Sequence, residues 1–401
     1  MVILNNRINN AAIAITAMAL LCLVSCQSDD PDIIVPDSST GVSDREILIG
    51  SSLALGGHAG YLGTQILQGA MAYIQHINDT GGIHGRTIRV ITYDDGYDPP
   101  RCLFNTQKLI IEDNVFALFS YVGTPTTVKI IPLINEARIP LVGMFTGSSR
   151  LRNPVNRYLI NIRASYYQEI EAAVAYMVNQ IHLNRIAVFY QYDEFGFDGL
   201  RGTELALKSY GLKPVAKGSY VRGTLDVEDG LDRVTSSGAQ AVVMIGTYDA
   251  CAEFISLALE QNFSPVFYNV SFVGSEELAR RLSDKGEGVI ITQVVPPPNI
   301  MESAPLLPGV QEYAELLTRY FPESRPNFVG LEGFLNAKVL VEGFSRAGFD
   351  LTRESFINAL ESIKDLDLGI SNTLSFSTTD HQGLDKVYFT KIHQGHLVMM
   401  Q

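Results

Sequence analysis

The chain of 401 residues contains no tryptophan, and it lacks the short motifs that mark several common catalytic centres. No GxSxG nucleophile elbow, HExxH zinc motif, CxxC pair or Walker phosphate loop occurs in it. Basic residues are also scarce, with 30 lysines and arginines against 43 aspartates and glutamates, and they form no basic stripe. Binding to nucleic acid depends on neutralising phosphates. We therefore expect neither catalytic activity nor a nucleic-acid partner.

Signals for a metal or a cofactor are missing as well. The closest pair of histidines, His393 and His396, flanks a predicted hairpin turn, and no third metal ligand is evident. Gly57, Gly60 and Gly63 follow the first predicted strand at GxxGxxG spacing, whereas a pyrophosphate-binding loop needs GxGxxG. We expect no metal and no cofactor. A nicotinamide or flavin enzyme stays an alternative that a bound nucleotide would reveal.

The first 25 residues predict an export signal. Arg7 supplies a positive charge, the stretch from Ala11 to Val24 is apolar, and the residues ending at Cys26 resemble a bacterial lipobox. We expect cleavage before Cys26 and attachment of lipid to its thiol, with an ordinary secretory signal as the alternative. Residues 26–43 are polar and contain prolines and aspartates, which predicts a flexible tether that holds the folded part near a membrane.

The rest of the chain alternates between short apolar runs and amphipathic segments, a pattern typical of an α/β protein with parallel sheets. Its length and its 46% hydrophobic content suffice for two domains of ordinary size. A first group of predicted strands covers Glu46–Leu55, Ile88–Thr92, Val115–Phe119 and Ile139–Met144. A second group covers Arg185–Tyr190, Val215–Tyr220, Ala241–Ile245 and Val266–Val270. The sequence thus predicts two doubly wound sheets.

Two polar loops follow neighbouring strands of the first group. Gly123-Thr124-Pro125 comes after one strand, and Thr146 to Ser149 comes after the next. Ligands of open parallel sheets bind outside the carboxyl ends of the strands, where helix N-termini and free amides meet. Thr124 is suited to be the N-cap of the helix that follows, and Pro125 its first residue. These loops predict a site for a carboxylate or phosphate, with simple helix capping as the alternative.

The stretch from Leu48 to Pro99 resembles the opening of type I periplasmic binding proteins of the Leu/Ile/Val-binding kind, the receptors of branched-chain amino acid ABC importers. The turn Gly81–Arg86 and the element Tyr93–Pro99 are its most specific parts. The resemblance implies two Rossmann-like lobes joined by three crossovers. One lobe would comprise residues 44–163 and 293–372, and the other residues 164–292 and 373–401.

The resemblance also implies a ligand site between the lobes. The residues that match the family's site are Tyr61, Gly123, Thr124, Thr146, Gly147 and Ser148 in the first lobe, and Phe195, Tyr248 and Ser271 in the second. Ser271 stands where the family has an acid that pairs with the ligand's amino group, so an α-amino acid ligand is in doubt. Tyr97 stands where the family has a cysteine, so the family's disulfide is expected to be missing. Cys102 and Cys251 are far apart in the sequence and belong to different predicted lobes, so we expect two free thiols, with a disulfide in an oxidising compartment as the alternative.

The sequence therefore predicts an extracytoplasmic solute-binding protein that is monomeric and delivers a small polar ligand to an ABC permease. The ligand would be an amino acid, an amide or a carboxylate. The alternative is a ligand-sensing module of the same fold that signals to a partner protein.

Overall fold

The computed structural model describes residues 38–298 and 307–400. The predicted signal peptide, the lipid-attachment residue Cys26 and most of the predicted tether lie outside these residues. No helix within the described residues is both long and apolar enough to cross a membrane.

The first sheet contains five parallel strands in the order β2-β1-β3-β4-β5. They are β1 (Glu46–Leu53), β2 (Thr87–Asp94), β3 (Ala117–Phe119), β4 (Leu141–Val142) and β5 (Leu159–Ile160). The connecting helices are α1 (Gly60–Asp79), α2 (Pro99–Ile111) and α3 (Thr124–Ala137). Nearly all of β1 is buried because the sheet carries helices on both faces, and this explains its apolar sequence.

The second sheet contains seven strands in the order β14-β13-β10-β9-β8-β6-β7. Its parallel strands are β6 (Ile186–Gln191), β7 (Lys217–Tyr220), β8 (Ala241–Ile245), β9 (Val266–Asn269) and β10 (Ile290–Gln293). Its helices are α4 (Tyr166–Ala175), α5 (Glu194–Lys208), α6 (Glu228–Thr235), α7 (Tyr248–Glu260) and α8 (Ser275–Leu282). The two strands at its edge, introduced below, are antiparallel. The predicted α/β class with two wound sheets is confirmed.

Three later helices return to the first sheet: α9 (Pro308–Tyr320), α10 (Phe328–Ala347) and α11 (Arg353–Glu361). Helices α1 and α10 cross with their backbones in contact. A Cβ atom on Gly69 would lie 1.8 Å from the carbonyl oxygen of Gly330, so only glycine permits this approach. The chain then forms a small ribbon, β11 (Leu366–Asp367) with β12 (Thr373–Leu374), before the hairpin of β13 (Tyr388–His393) and β14 (His396–Met399).

Two segment boundaries differ from the sequence prediction. Residues 38–43 were predicted to belong to the tether, but Leu48 donates a backbone hydrogen bond to Gly41 and Arg353 donates one to Ser38. The folded part therefore begins by Ser38. Leu374, Phe376 and Leu384 were assigned to the second lobe, but they pack in the core beside the first sheet. We accordingly place the return of the chain to the second sheet after Leu384.

Cys102 lies in α2 and Cys251 in α7, and both thiols are free and buried, as predicted.

Candidate ligand-binding site

The loop after β3 makes a sharp turn into α3. Gly123 has a φ of 96° and is the N-cap, so α3 begins at Thr124, one residue earlier than the predicted capping arrangement. A Cβ atom on Gly123 would lie 2.0 Å from the ring of Tyr97, which leaves room only for glycine. Thr124 is therefore in the first helical turn, and its hydroxyl does not cap the helix as the sequence predicted.

The two strand-end loops of the first sheet meet, as the sequence predicted. Thr124 Oγ1 and Thr146 Oγ1 lie 2.8 Å apart, and both residues are completely buried. Thr146 Oγ1 also accepts a hydrogen bond of 3.3 Å from the backbone nitrogen of Ser148. The Ser148 hydroxyl is buried and has no hydrogen-bond partner within the described residues, although the Asp198 carboxylate is nearby. The loops thus hold a hydroxyl that a ligand could engage.

The second sheet contributes an aromatic wall that faces these loops. Asp193 caps α5 by accepting a hydrogen bond of 3.0 Å from the backbone nitrogen of Phe195, which fixes the buried Phe195 ring. That ring lies 5.2 Å from the Tyr166 ring and 4.7 Å from the Phe272 ring, centre to centre. The backbone nitrogen of Tyr166 donates to the carbonyl of Gly147 over 2.8 Å. Phe195 is therefore brought close to the loop that contains Thr146 and Ser148.

Tyr61 and Tyr248 form a second contact between the two sheets, beside α8. The backbone nitrogen of Tyr61 donates to the Tyr248 hydroxyl over 3.4 Å, and the two rings meet edge to face at 6.2 Å. The Tyr61 hydroxyl lies 3.5 Å from Glu276 Oε2. Burial, followed by the charge of Glu276, raises the pKa of Tyr61 well above its ordinary value. Burial also raises the pKa of Tyr248, to about 12, so both tyrosines are neutral groups.

Ser271 is bound to a carboxylate that comes from elsewhere in the chain. Its backbone nitrogen donates to Glu169 Oε2 over 2.8 Å, and its hydroxyl donates to Glu169 Oε1 over 3.0 Å. Thr292 Oγ1 donates to Glu169 Oε2 over 2.7 Å. Arg163 Nη2 donates to the Ser271 hydroxyl and also lies 3.4 Å from Glu169 Oε1. Glu169 therefore supplies an acid at Ser271, but neighbouring donors surround it.

Arg163 joins the two sheets electrostatically. It is 3% exposed, and its Nη1 lies 3.4 Å from Oε2 of Glu332 in α10, at an orientation that does not form a hydrogen bond. Burial acts to lower the pKa of Arg163, but the attraction of Glu332 and Glu169 outweighs it and raises that pKa. Burial raises the pKa of Glu332 to about 7, although Arg163 acts to lower it. The guanidinium stays charged in the buried interface.

A model of the periplasmic binding proteins matches residues 46–396. The chain belongs to the periplasmic binding protein family. The resemblance to its Leu/Ile/Val-binding members is thereby confirmed. A crystal structure of a possible leucine/isoleucine/valine-binding protein from Rhodopirellula baltica SH 1 is 34% identical, with a TM-score of 0.84 over 90% of this chain and 98% of that one.

Curated relatives of this binding protein are more distant. Leu/Ile/Val-binding protein homolog 7 of Brucella abortus is 24% identical over 77% of this chain and 79% of that protein. An amino acid binding protein of Pseudomonas aeruginosa is 24% identical over 58% of this chain. The matched part covers 63% of the Pseudomonas protein, which is less than two thirds of its length.

Five residues that lie between the two sheets were not predicted from the sequence. They are Tyr97, Arg163, Tyr166, Glu169 and Phe272. Arg163 and Tyr166 follow β5, which pairs with β4 and ends at the same edge of the first sheet. The rule that found the loops after β3 and β4 would have found them too, if it had been extended by one strand.

Proposed function

We propose that this protein is an extracytoplasmic solute-binding protein whose two lobes close on a small polar ligand and deliver it to an ABC permease. The observation that carries the proposal is the meeting of strand-end loops from both sheets in one buried interface. Membership of the family supports a role outside the cytoplasm and a small-molecule ligand.

The contacts between the lobes are suited to opening and closing. Ser149 donates from its backbone nitrogen to Asp198 over 3.0 Å, and Phe328 donates from its backbone nitrogen to Glu276 over 2.8 Å. Hydrogen bonds to a carboxylate contribute a net of about 1.5–3 kcal/mol each, and both partners can bond to water when the lobes separate. A ligand that binds the closed state better than the open state would therefore shift the population towards closure.

The ligand site that we propose consists of two strand-end loops, an aromatic wall and a rim. Thr124, Thr146 and Ser148, with Gly123 and Gly147, would hold the polar end of the ligand. Phe195, Tyr248, Ser271 and Tyr61 would close over it from the other side. The names of the relatives make branched-chain amino acids and related compounds the first ligands to test.

Ligand binding is tested by thermal-shift screening of the purified protein, with Cys26→Ser to prevent acylation, against amino acids, amides and carboxylic acids. Isothermal titration calorimetry then gives the affinity of each hit. A ligand should raise the melting temperature, because it binds only the folded protein. If no compound of these three classes raises it, a solute-binding role for this chain is wrong.

Delivery to a permease and lipid anchoring need separate tests in cells. Uptake of the radiolabelled ligand should fall when the protein is removed and recover when it is restored. Cys26→Ser should move the protein from the membrane fraction to the soluble exported fraction. Unchanged uptake would contradict delivery, and unchanged fractionation would contradict the lipid anchor.

A further inference from the structure

Three buried side chains at the meeting of the two sheets hold polar atoms without a hydrogen-bond partner within the described residues. They are the Ser148 hydroxyl, Nε and Nη1 of Arg163, and the Tyr166 hydroxyl. Ser148 and Tyr166 are completely buried, and Arg163 is 3% exposed. Buried polar groups are almost always hydrogen-bonded, so each exception needs an explanation.

These groups lie next to one another. Gly147, adjacent to Ser148, accepts the backbone hydrogen bond of Tyr166 at 2.8 Å. The Arg163 guanidinium carbon lies 4.8 Å from the centre of the Phe145 ring and 5.8 Å from that of Tyr166. Thr146 is also close to the Tyr166 hydroxyl, although the two do not form a hydrogen bond of normal geometry. The residues that hold the unpaired atoms therefore lie side by side at the loop that follows β4.

All three groups can donate a hydrogen bond. A guanidinium only donates, and a phenol or a hydroxyl can do so. Burial raises the pKa of Tyr166 to about 12, so its hydroxyl keeps its proton. The chemical complement of three neighbouring donors, one of them positively charged, is a group with several acceptor oxygens and a negative charge.

An ammonium group, by contrast, finds no suitable partner here. Glu169 is the acid beside Ser271, but each of its oxygens already faces two donors, which fill the acceptor sites of a carboxylate. Two other acids are nearby. Glu332 is 3.4 Å from Arg163. Asp198 lies beside Ser148, accepts hydrogen bonds from the backbone nitrogen and the hydroxyl of Ser149, and is close to the buried guanidinium of Arg152. A ligand ammonium that approached either acid would lie beside a guanidinium of the same charge, which is unfavourable in a buried site.

The surroundings of this region are apolar and aromatic. The Phe272 ring lies 5.4 Å from the Phe145 ring, 5.9 Å from the Tyr97 ring and 4.7 Å from the Phe195 ring, centre to centre. Such rings favour a hydrocarbon body.

We propose that the ligand is an organic carboxylate without an α-ammonium group, held by Arg163, Tyr166 and Ser148. Its apolar body packs against the rings around Phe272. This inference rests on the proposed solute-binding function and narrows the class of ligand within it. Arg163 and Glu169 determine this preference for acids without an ammonium group. Both contact Ser271, and the Glu169 carboxylate already accepts hydrogen bonds at both oxygens, so it cannot pair with a ligand ammonium.

The first test compares matched ligands by calorimetry on the purified protein. The series are leucine, 4-methyl-2-oxopentanoate and 4-methylpentanoate, together with phenylalanine, phenylpyruvate and 3-phenylpropanoate. Within at least one series the acids that lack the ammonium should bind at least about tenfold more tightly than the amino acid. The ammonium loses its hydrogen bonds to water and finds no acceptor in the site, and one charge-assisted hydrogen bond accounts for a difference of this size. Tighter binding of the amino acid would overturn this inference and leave the solute-binding function intact. Failure of all six compounds would overturn the inference, and failure of the wider screen as well would overturn the function.

The second test uses variants that remove an unpaired hydroxyl. Tyr166→Phe and Ser148→Ala delete a hydroxyl that forms no hydrogen bond of normal geometry within the described residues, so the melting temperature should change little. Each should weaken binding of the preferred acid by about tenfold or more. Unchanged affinity in both variants would overturn the inference.

The matched control is Tyr121→Phe. The Tyr121 hydroxyl is buried and lies 3.0 Å from Thr106 Oγ1, in the core on the far side of the first sheet. This variant should lower the melting temperature and leave the affinity unchanged. If it weakened binding as much as Tyr166→Phe does, loss of affinity would reflect general destabilisation, and the inference would be wrong.

Discussion

Glu332 should make the protein less stable as the pH rises from about 5 to about 8. Burial raises the pKa of this carboxyl from 4.5 to about 7, although the nearby Arg163 opposes that effect and Glu169 adds to it. An acid with a raised pKa binds its proton more tightly in the folded state than in the unfolded state. Its stability contribution is therefore fully present below pH 4.5 and is lost as the pH rises through about 7.

The size of the effect follows from the two pKa values. The interval between 4.5 and about 7, at about 1.4 kcal/mol for each pH unit, corresponds to about 3 kcal/mol. We treat this as an upper bound. Glu332→Gln cannot ionise. Between pH 5 and pH 8 the free energy of unfolding of the wild type should therefore fall by up to about 3 kcal/mol more than that of the variant.

The assay is urea denaturation followed by circular dichroism at pH 5, 6, 7 and 8 for both proteins. Asp95 and Glu276 also have pKa values raised by burial, to about 6 and about 7, and they titrate in the same window. Both are present in the wild type and in the variant, so the difference between the two curves isolates Glu332. Parallel curves would refute the reasoning.

Three further predictions concern stability and binding. Arg353→Met should lower the free energy of unfolding by about 3–5 kcal/mol in a urea titration. The reason is that the buried Arg353 side chain donates to the carbonyls of Val115, Phe116 and Ala137. The control is Arg150→Met at an exposed position, which should change the free energy of unfolding by less than about 0.5 kcal/mol. Equal effects of the two substitutions would contradict this assignment. Gly69→Ala should lower the free energy of unfolding by about 1–3 kcal/mol in the same titration, because the new Cβ atom forces α1 away from α10. An unchanged free energy of unfolding would disprove the close crossing of the two helices. Thr124→Val should cost about 1 kcal/mol of stability and weaken ligand binding in calorimetry, because it breaks the contact with Thr146; unchanged affinity would remove Thr124 from the proposed site.

The strand-end loops were predictable because their geometry follows from local sequence. Parallel strands place their carboxyl ends at one edge, so apolar runs followed by polar loops were enough to bring Thr124 and Thr146 together. Their 2.8 Å contact agrees with that reasoning. The helix start was displaced by one residue because the positive φ of Gly123 turns the chain earlier than the Thr-Pro pattern suggests.

The buried ion pairs were not predictable from local sequence. Arg163 follows a strand of only two residues, and one of its acidic partners, Glu332, lies far along the chain on α10, a helix that returns to the first sheet. No periodicity or motif connects these positions, since the contact depends on how α10 packs against the first sheet. The sequence correctly showed that Ser271 is not an acid, but it did not show that Glu169 lies against it.

The start of the folded part was missed for a related reason. Residues 38–43 are polar, and their composition is typical of a tether. They pack because Gly41 allows close contact with the backbone at Phe116, where a Cβ atom would lie 2.3 Å from the Phe116 nitrogen. Composition alone does not report such a contact.

The central claim is that the two lobes close on a ligand, and small-angle X-ray scattering with and without the preferred ligand tests it most directly. We predict that the saturated protein has a smaller radius of gyration than the free protein, and that Ser148→Ala needs a higher ligand concentration to reach the same value. Tight binding by calorimetry with no change in the radius of gyration would contradict closure.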